Sequence, residues 1–148
     1  RLDDDSPATP NRSISSIYAD PTNPNHAIVT FSGFNVTTPT LPGHIFNVVF
    51  DPGTGLSTWT DISYDIGDQP VNDAVLDTAT GDIYVSTDFS VFVLTPGSQA
   101  WMPVSDGLPM VAVSGLTLAK AQHGPNRFIY AATHGRGAWR TDLPSVKK

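Results

Sequence analysis

Asp65 and Asp68 are the residues of this chain whose type and spacing most directly suggest chemistry. They stand three apart across Ile66 and Gly67, so two carboxylates share one loop, the raw material for a general acid paired with a general base. The same spacing describes aspartates that cap a turn, because Ile66-Gly67-Asp68 is itself a turn signal. Both readings stand on the residues alone. Arg136, held between Gly135 and Gly137, offers an anion contact, or the turn simply needs its glycines for positive φ while the arginine reaches into solvent. His123 and His134 have no neighbour at metal-ligand spacing, so no metal is expected, and no cofactor is expected either. Asp3, Asp4 and Asp5 lack the glycine and asparagine spacing of a calcium loop and read as a solvated tail. With no cysteine in the chain, thiolate chemistry, disulfides and Cys-type zinc sites are excluded together.

The elements that must position these residues are strands. All fourteen acidic residues are aspartate, and 16 Thr, 13 Ser, 13 Pro and 12 Gly crowd a chain of 148 residues, a composition of strand and turn formers that excludes a mostly helical fold. A net charge of −6 argues against a nucleic-acid or anionic-membrane partner. No apolar run approaches the ~18 residues a membrane-spanning helix needs, so no membrane insertion is expected.

The chain repeats itself. Ala27–Thr30, Ile83–Ser86 and Ile129–Ala132 are short β-prone runs, each preceded by another run and a turn and followed by a third. The preceding runs are Ile14–Ala19, Asn72–Leu76 and Val113–Ala119; the following ones are His44–Phe50, Val91–Leu94 and Gly137–Thr141. The first two units add a fourth run around a tryptophan, Thr58–Ile62 and Ala100–Val104. Four short strands recurring at roughly 40–50 residues describe a propeller blade. The expected fold is therefore all-β: three four-stranded units of a β-propeller, the last incomplete. Residues 1–13 read as a polar tail, 14–66 as the first blade with an insertion at 33–43, 70–109 as the second, 111–143 as the third and 144–148 as a second tail. Closed propellers have four to eight blades, so another polypeptide, or further copies, is expected to complete this one.

Two connections carry a family resemblance. Asp51-Pro52-Gly53-Thr54-Gly55-Leu56-Ser57-Thr58-Trp59 and Thr95-Pro96-Gly97-Ser98-Gln99-Ala100-Trp101 resemble the Asp-box (BNR) hairpin of sialidase-like, xyloglucanase-like and sortilin-type propellers, Ser-x-Asp-x-Gly-x-x-Thr-Trp. The first copy keeps Asp51, Gly53, Thr58 and Trp59 but is two residues longer. The second keeps Gly97 and Trp101, with Thr95 and Ala100 in place of Asp and Thr. Gly135-Arg136-Gly137 leading into Trp139 is similar to the last-blade hairpin of secreted Asp-box propellers, and the resemblance spans roughly residues 14–143.

In that family the Asp-box is a folding device, so Asp51, Gly53, Trp59, Gly97 and Trp101 are expected to be structural, with Trp59, Trp101 and Trp139 at blade-packing positions. Ligands of the family bind on the opposite end, which makes the 33–43 insertion, His44, Asp65, Asp68, Asp88, Asp106, His134 and Arg136 the ligand-face candidates. The resemblance implies a secreted or cell-surface, noncatalytic scaffold for carbohydrate or protein. Its alternative is part of a glycoside hydrolase, xyloglucanase-like, whose remaining catalytic residues lie on other blades, with Asp65 and Asp68 the only local candidates for its acid and base. A sialidase site needs a Glu, which this chain lacks. Among the apolar residues at the two open ends, Ile28, Val29, Leu116 and Phe128 are expected to be left without a neighbour on one side.

Overall fold

The computed structural model describes residues 9–104 and 107–144, and within them the chain is all-β. Eleven strands form three antiparallel sheets. The first sheet holds β1 (Ile14–Ala19), β2 (His26–Phe31), β3 (Ile45–Asp51) and β4 (Leu56–Asp61). The second holds β5 (Val71–Asp77), β6 (Asp82–Thr87), β7 (Val91–Leu94) and β8 (Met102–Pro103). The third holds β9 (Val113–Lys120), β10 (Arg127–Thr133) and β11 (Gly137–Asp142). Each sheet is a meander in chain order, the shape of a propeller blade.

The repeat seen in the sequence is a repeat of register. Val29 lies between Ile17 and Phe46, Val85 between Ala74 and Phe92, and Ala131 between Leu116 and Trp139. Ile28, Tyr84 and Tyr130 therefore hold one structural place in the three sheets.

Side-chain bonds between first strands fix how the sheets stand. Ser15 Oγ donates to the Val71 carbonyl at 2.5 Å, Ser16 Oγ to Asp73 at 2.6 Å and Tyr18 Oη to the Leu76 carbonyl at 3.2 Å, so β1 runs alongside β5 in the same direction. Asn72 Nδ2 reaches the Val113 carbonyl at 3.1 Å, and Asp73 Oδ2 accepts the Leu116 amide at 2.8 Å, which sets β9 beside β5 in the same sense. Equivalent turns of the three sheets consequently emerge at the same end. The middle sheet is covered on both faces: Ala74, Val85 and Leu94 enter the core shared with the first sheet, and Val75, Tyr84 and Val91 the core shared with the third. Its first two strands accordingly carry consecutive apolar residues, at 74–76 and 83–85, rather than strict alternations.

Several expectations are corrected. The fourth strand of the second sheet is only Met102–Pro103: Ser98 Oγ takes the Ala100 amide at 3.0 Å that a longer ladder with β7 would use, and Asp65 accepts the Trp101 amide at 2.8 Å. Ile28, Val29 and Leu116 are buried. Ile28 and Leu116 face the second sheet, whereas Val29 packs with Phe31, Phe46, Val48 and Trp59 on the opposite face of the first. Phe128 is half-buried, with the Arg140 guanidinium 4.6 Å from its ring centroid, a cation–π contact. Trp101 is buried, but Trp59 is only half-buried and Trp139 is 37% exposed.

Candidate functional site

At the end of the sheets where the second strands lead into the third, the structure joins two of the sequence candidates. His44 closes the insertion, immediately before β3, and its imidazole is 1% exposed. Its Nε2 lies 3.2 Å from Asp68 Oδ1 and its Nδ1 3.4 Å from Arg12 Nη1. The partners assign the tautomer: Nε2–H donates to the carboxylate, and Nδ1 accepts from the guanidinium. Burial pushes the His44 pKa down, with the Arg12 charge acting in the same direction and Asp68 against it. The imidazole is thereby held neutral.

The backbone around the ring is also engaged. The amides of His44 and Ile45 both donate to Ser63 Oγ, at 2.7 and 3.0 Å, and the His44 carbonyl accepts the Phe31 amide at 2.8 Å. Arg12 donates to the carbonyls of Gly43 and Pro42 and to Asn35 Oδ1. Asp68 Oδ1 additionally accepts the Asn35 amide at 2.8 Å. A short 3-10 helix, Asn35–Thr37, gives the otherwise irregular insertion a rigid centre. Gly43 is required here by contact rather than by φ: an added Cβ would lie 2.5 Å from the Phe46 ring and from Asp61. The cluster therefore ties three separate segments together: the segment before β1, the insertion, and the connection from β4 to β5.

The remaining candidates disperse. Asp65 leaves this cluster and accepts the Trp101 amide at 2.8 Å, stitching the first sheet to the second, while Asp68 serves the insertion. The two carboxylates are thus given to different backbone amides. Asp88 accepts from Asn72 Nδ2 at 3.0 Å. His134 and Arg136 are exposed in the β10–β11 turn, where the Arg136 carbonyl accepts the Trp139 indole N–H at 3.1 Å. Asp106 lies outside the described residues, as do Asp3, Asp4 and Asp5. No group of three or more His, Asp or Glu side chains able to hold a metal ion occurs among the described residues.

The residues of the two hairpins compared with an Asp-box sit at the opposite end. Asp51 accepts the Gly53 amide at 2.8 Å and the Thr54 hydroxyl at 2.9 Å, bonds that lower its pKa. The left-handed residue of this hairpin is Gly55, with φ 72°, rather than Gly53; in the second hairpin it is Gly97, with φ 80°. Trp101 packs in the core between the first two sheets and donates its indole N–H to the Ile62 carbonyl at 2.9 Å.

Sequence reasoning missed two sets of residues. Arg12, read only as part of a polar tail, is the hub of the His44 cluster. Phe34, Val36, Phe89 and Met110 are exposed, Val36 at 81% and Met110 at 85%, and they occupy the insertion, the β6–β7 turn and the β8–β9 connection, all at the His44 end. Backbone bonds hold the β8–β9 connection to the β6–β7 and β10–β11 turns: Val111 N–H to the Phe89 carbonyl at 3.1 Å and His134 N–H to the Ala112 carbonyl at 2.8 Å. The available signal was a large apolar residue inside a turn, where strand burial gives it no reason to be. No protein-family model and no curated protein matches this chain.

Proposed function

We propose that the chain is a noncatalytic segment of a secreted or cell-surface Asp-box propeller, and that its His44 end binds carbohydrate or protein. One contrast carries the reading. Both ring nitrogens of His44 and the Oδ1 of Asp68 are engaged by bonds within the fold, while Phe34, Val36, Phe89 and Met110 stand exposed on loops at the same end. A general base needs a free lone pair aimed at substrate; a binding face needs apolar surface on a rigid frame. The same reading includes a partner, another polypeptide or further copies, that completes the ring of blades.

Two measurements test it. Affinity electrophoresis of the purified chain through xyloglucan and other neutral polysaccharides, with reducing ends assayed in parallel, is expected to show retention without hydrolysis. Retention should be lost in Phe34→Ser with Val36→Ser. Absence of retention removes carbohydrate and leaves a protein ligand; release of reducing ends overturns the reading in favour of the hydrolase. Light scattering on the chain alone is expected to show association, and a stable, cooperatively unfolding monomer near 15.8 kDa would overturn the partner.

A further inference from the structure

The equivalence of register across the three sheets reaches one residue further than the strands of the third. In the first sheet Trp59 pairs across Val48, the residue two beyond Phe46 on β3. In the second, Trp101 directly precedes Met102, which pairs with Val93, so it lies beside Leu94, two beyond Phe92. The same place in the third sheet is opposite Thr141, two beyond Trp139 on β11. Among the described residues β11 pairs only with β10, and its outer edge carries no strand.

An apolar cavity lies at that place. Val91, Val104, Leu108, Ile129, Trp139 and Thr141 are among the residues lining it, on the face that the third sheet turns toward the second. Its walls correspond to those around Trp101. Ile129 stands for Ile83 and Trp139 for Phe92. Val104, the residue after β8, stands for Ile62, the residue after β4 whose carbonyl accepts the Trp101 indole N–H.

We infer that the outer edge of β11 is a docking site for an antiparallel strand supplied from outside these 148 residues, and that this strand places a tryptophan opposite Thr141, in the cavity beside Val104 and Leu108. Main-chain bonds along an open edge supply the attachment, and the aromatic in its pocket supplies the specificity. The tryptophan has to come from outside these 148 residues. The chain's three tryptophans are Trp59, Trp101 and Trp139, and neither residues 1–8 nor residues 145–148 contain an aromatic side chain. A second copy offers no spare one, because each already belongs to a sheet of its own. The bonding pattern of β11 fixes which groups the partner would meet. Leu143 N–H donates to the Arg127 carbonyl at 2.9 Å, so by alternation the amides of Ala138, Arg140 and Asp142 point to the open edge. This deepens the completed-ring reading by naming the contact.

The test grafts the missing strand. The full chain is extended past Lys148 by a flexible glycine–serine spacer and a copy of the Leu56–Asp61 sequence, alongside a control graft with alanine at the tryptophan position. Hydrogen exchange at Ala138, Arg140 and Asp142 is expected to slow by about tenfold or more in the tryptophan graft, with a higher unfolding midpoint than in the alanine graft. Unchanged exchange at these three amides, or equal midpoints for the two grafts, would overturn the site. The same peptide added free at about 1 mM, comparable to the effective concentration of a tethered strand, is expected to give the same protection. Protection by the graft alone would overturn a site that recognises the strand independently of its tether. Light scattering reads the assembly and the graft reads the edge, so either can fail without the other.

Discussion

The two seams between the sheets are built from matching parts and finished differently. Between the first and second sheets, Ile28, Ile45, Val71, Val85 and Leu94 pack into an aliphatic core that Trp101 closes from the outer side. Between the second and third, Val75, Tyr84, Val113, Leu116 and Ile129 form the corresponding core, but the outer side holds a cavity and a partly exposed Trp139. The second seam carries instead a buried ion pair, Arg127 with Asp77, and Arg127 also donates to the Pro144 carbonyl. One seam is closed by apolar volume with its single indole N–H satisfied; the other is held by a charge pair whose value depends on both members being present. Repetition of a unit therefore fixes strand order and register, while the last side chain to be inserted decides how a seam is stabilised.

The largest expected effect falls on the closed seam. Trp101→Ala removes a buried indole together with its bond to the Ile62 carbonyl, and should cost roughly 3–5 kcal/mol in urea unfolding. Trp139→Ala, on the open seam, should cost about 1 kcal/mol or less, because the side chain is already partly in water. Equal losses would break the comparison. On the second seam Arg127→Met should cost about 3 kcal/mol by leaving the Asp77 carboxylate buried without its partner. Adding Asp77→Leu should restore most of that stability, since a matched apolar pair removes the desolvation penalty of both charges. A double mutant as unstable as Arg127→Met alone would show that the pair contributes more than the charges it neutralises.

The seams also show what the sequence makes legible. Strand order, the repeat and the alignment of Ile28, Tyr84 and Tyr130 can be read from it, because apolar runs punctuated by Asp-Pro, Asn-Pro and Gly turns constrain local geometry directly. The bipartite bonding of Asp65 and Asp68 cannot, since whether two carboxylates three apart face one substrate or two backbone amides depends on where Trp101 and Asn35 arrive from elsewhere in the chain. Arg12 is illegible for the same reason: its partners are 23 to 32 residues away. The burial of Val29 is a third case. Its first-strand neighbour Ile17 is 55% exposed, yet Val29 itself is covered by aromatic packing in which Phe46 meets Phe31 at 5.5 Å and Trp59 at 5.9 Å, a shape-dependent closure that hydrophobic pattern does not specify.

The His44 cluster adds a pH dependence of its own on the acid side. Its pKa is depressed in the folded chain relative to the ordinary 6.5, so below that value the unfolded state binds a proton that the folded state resists. Stability is fully present above pH 6.5 and is lost as pH falls from there through the folded pKa. His44→Gln should flatten the change in unfolding midpoint between pH 7 and pH 5.5, and an unaltered slope would show that other groups dominate. Asp20 acts in a lower window. Bonds from Thr22 and His26 hold its pKa at about 2 against the ordinary 3.8, so its contribution is present above 3.8 and lost as pH falls toward 2. Asp20→Asn should therefore reduce acid sensitivity below pH 4, where Asp51 also contributes, and leave the slope above pH 5.5 unchanged.

The smallest effect on stability should come from the most exposed residues. Phe34 and Val36 lie on the 3-10 segment of the insertion and its entry, and no core cluster includes them. What orders this segment is polar: Arg12 on Asn35 Oδ1 and Asp68 on the Asn35 amide. Neither bond involves the Phe34 or Val36 side chains. Replacing both with serine should change stability by no more than about 0.5 kcal/mol, as for surface positions away from caps and cores. Asn35→Ala, between them, removes the acceptor of the Arg12 guanidinium and should cost about 1 kcal/mol or more. The three positions are adjacent in sequence, so the contrast separates frame from face: ligand retention should follow Phe34 and Val36, and the unfolding midpoint should follow Asn35. If the double serine variant unfolds as readily as Asn35→Ala, the apolar tip is part of the frame, and its exposure carries no case for a binding face.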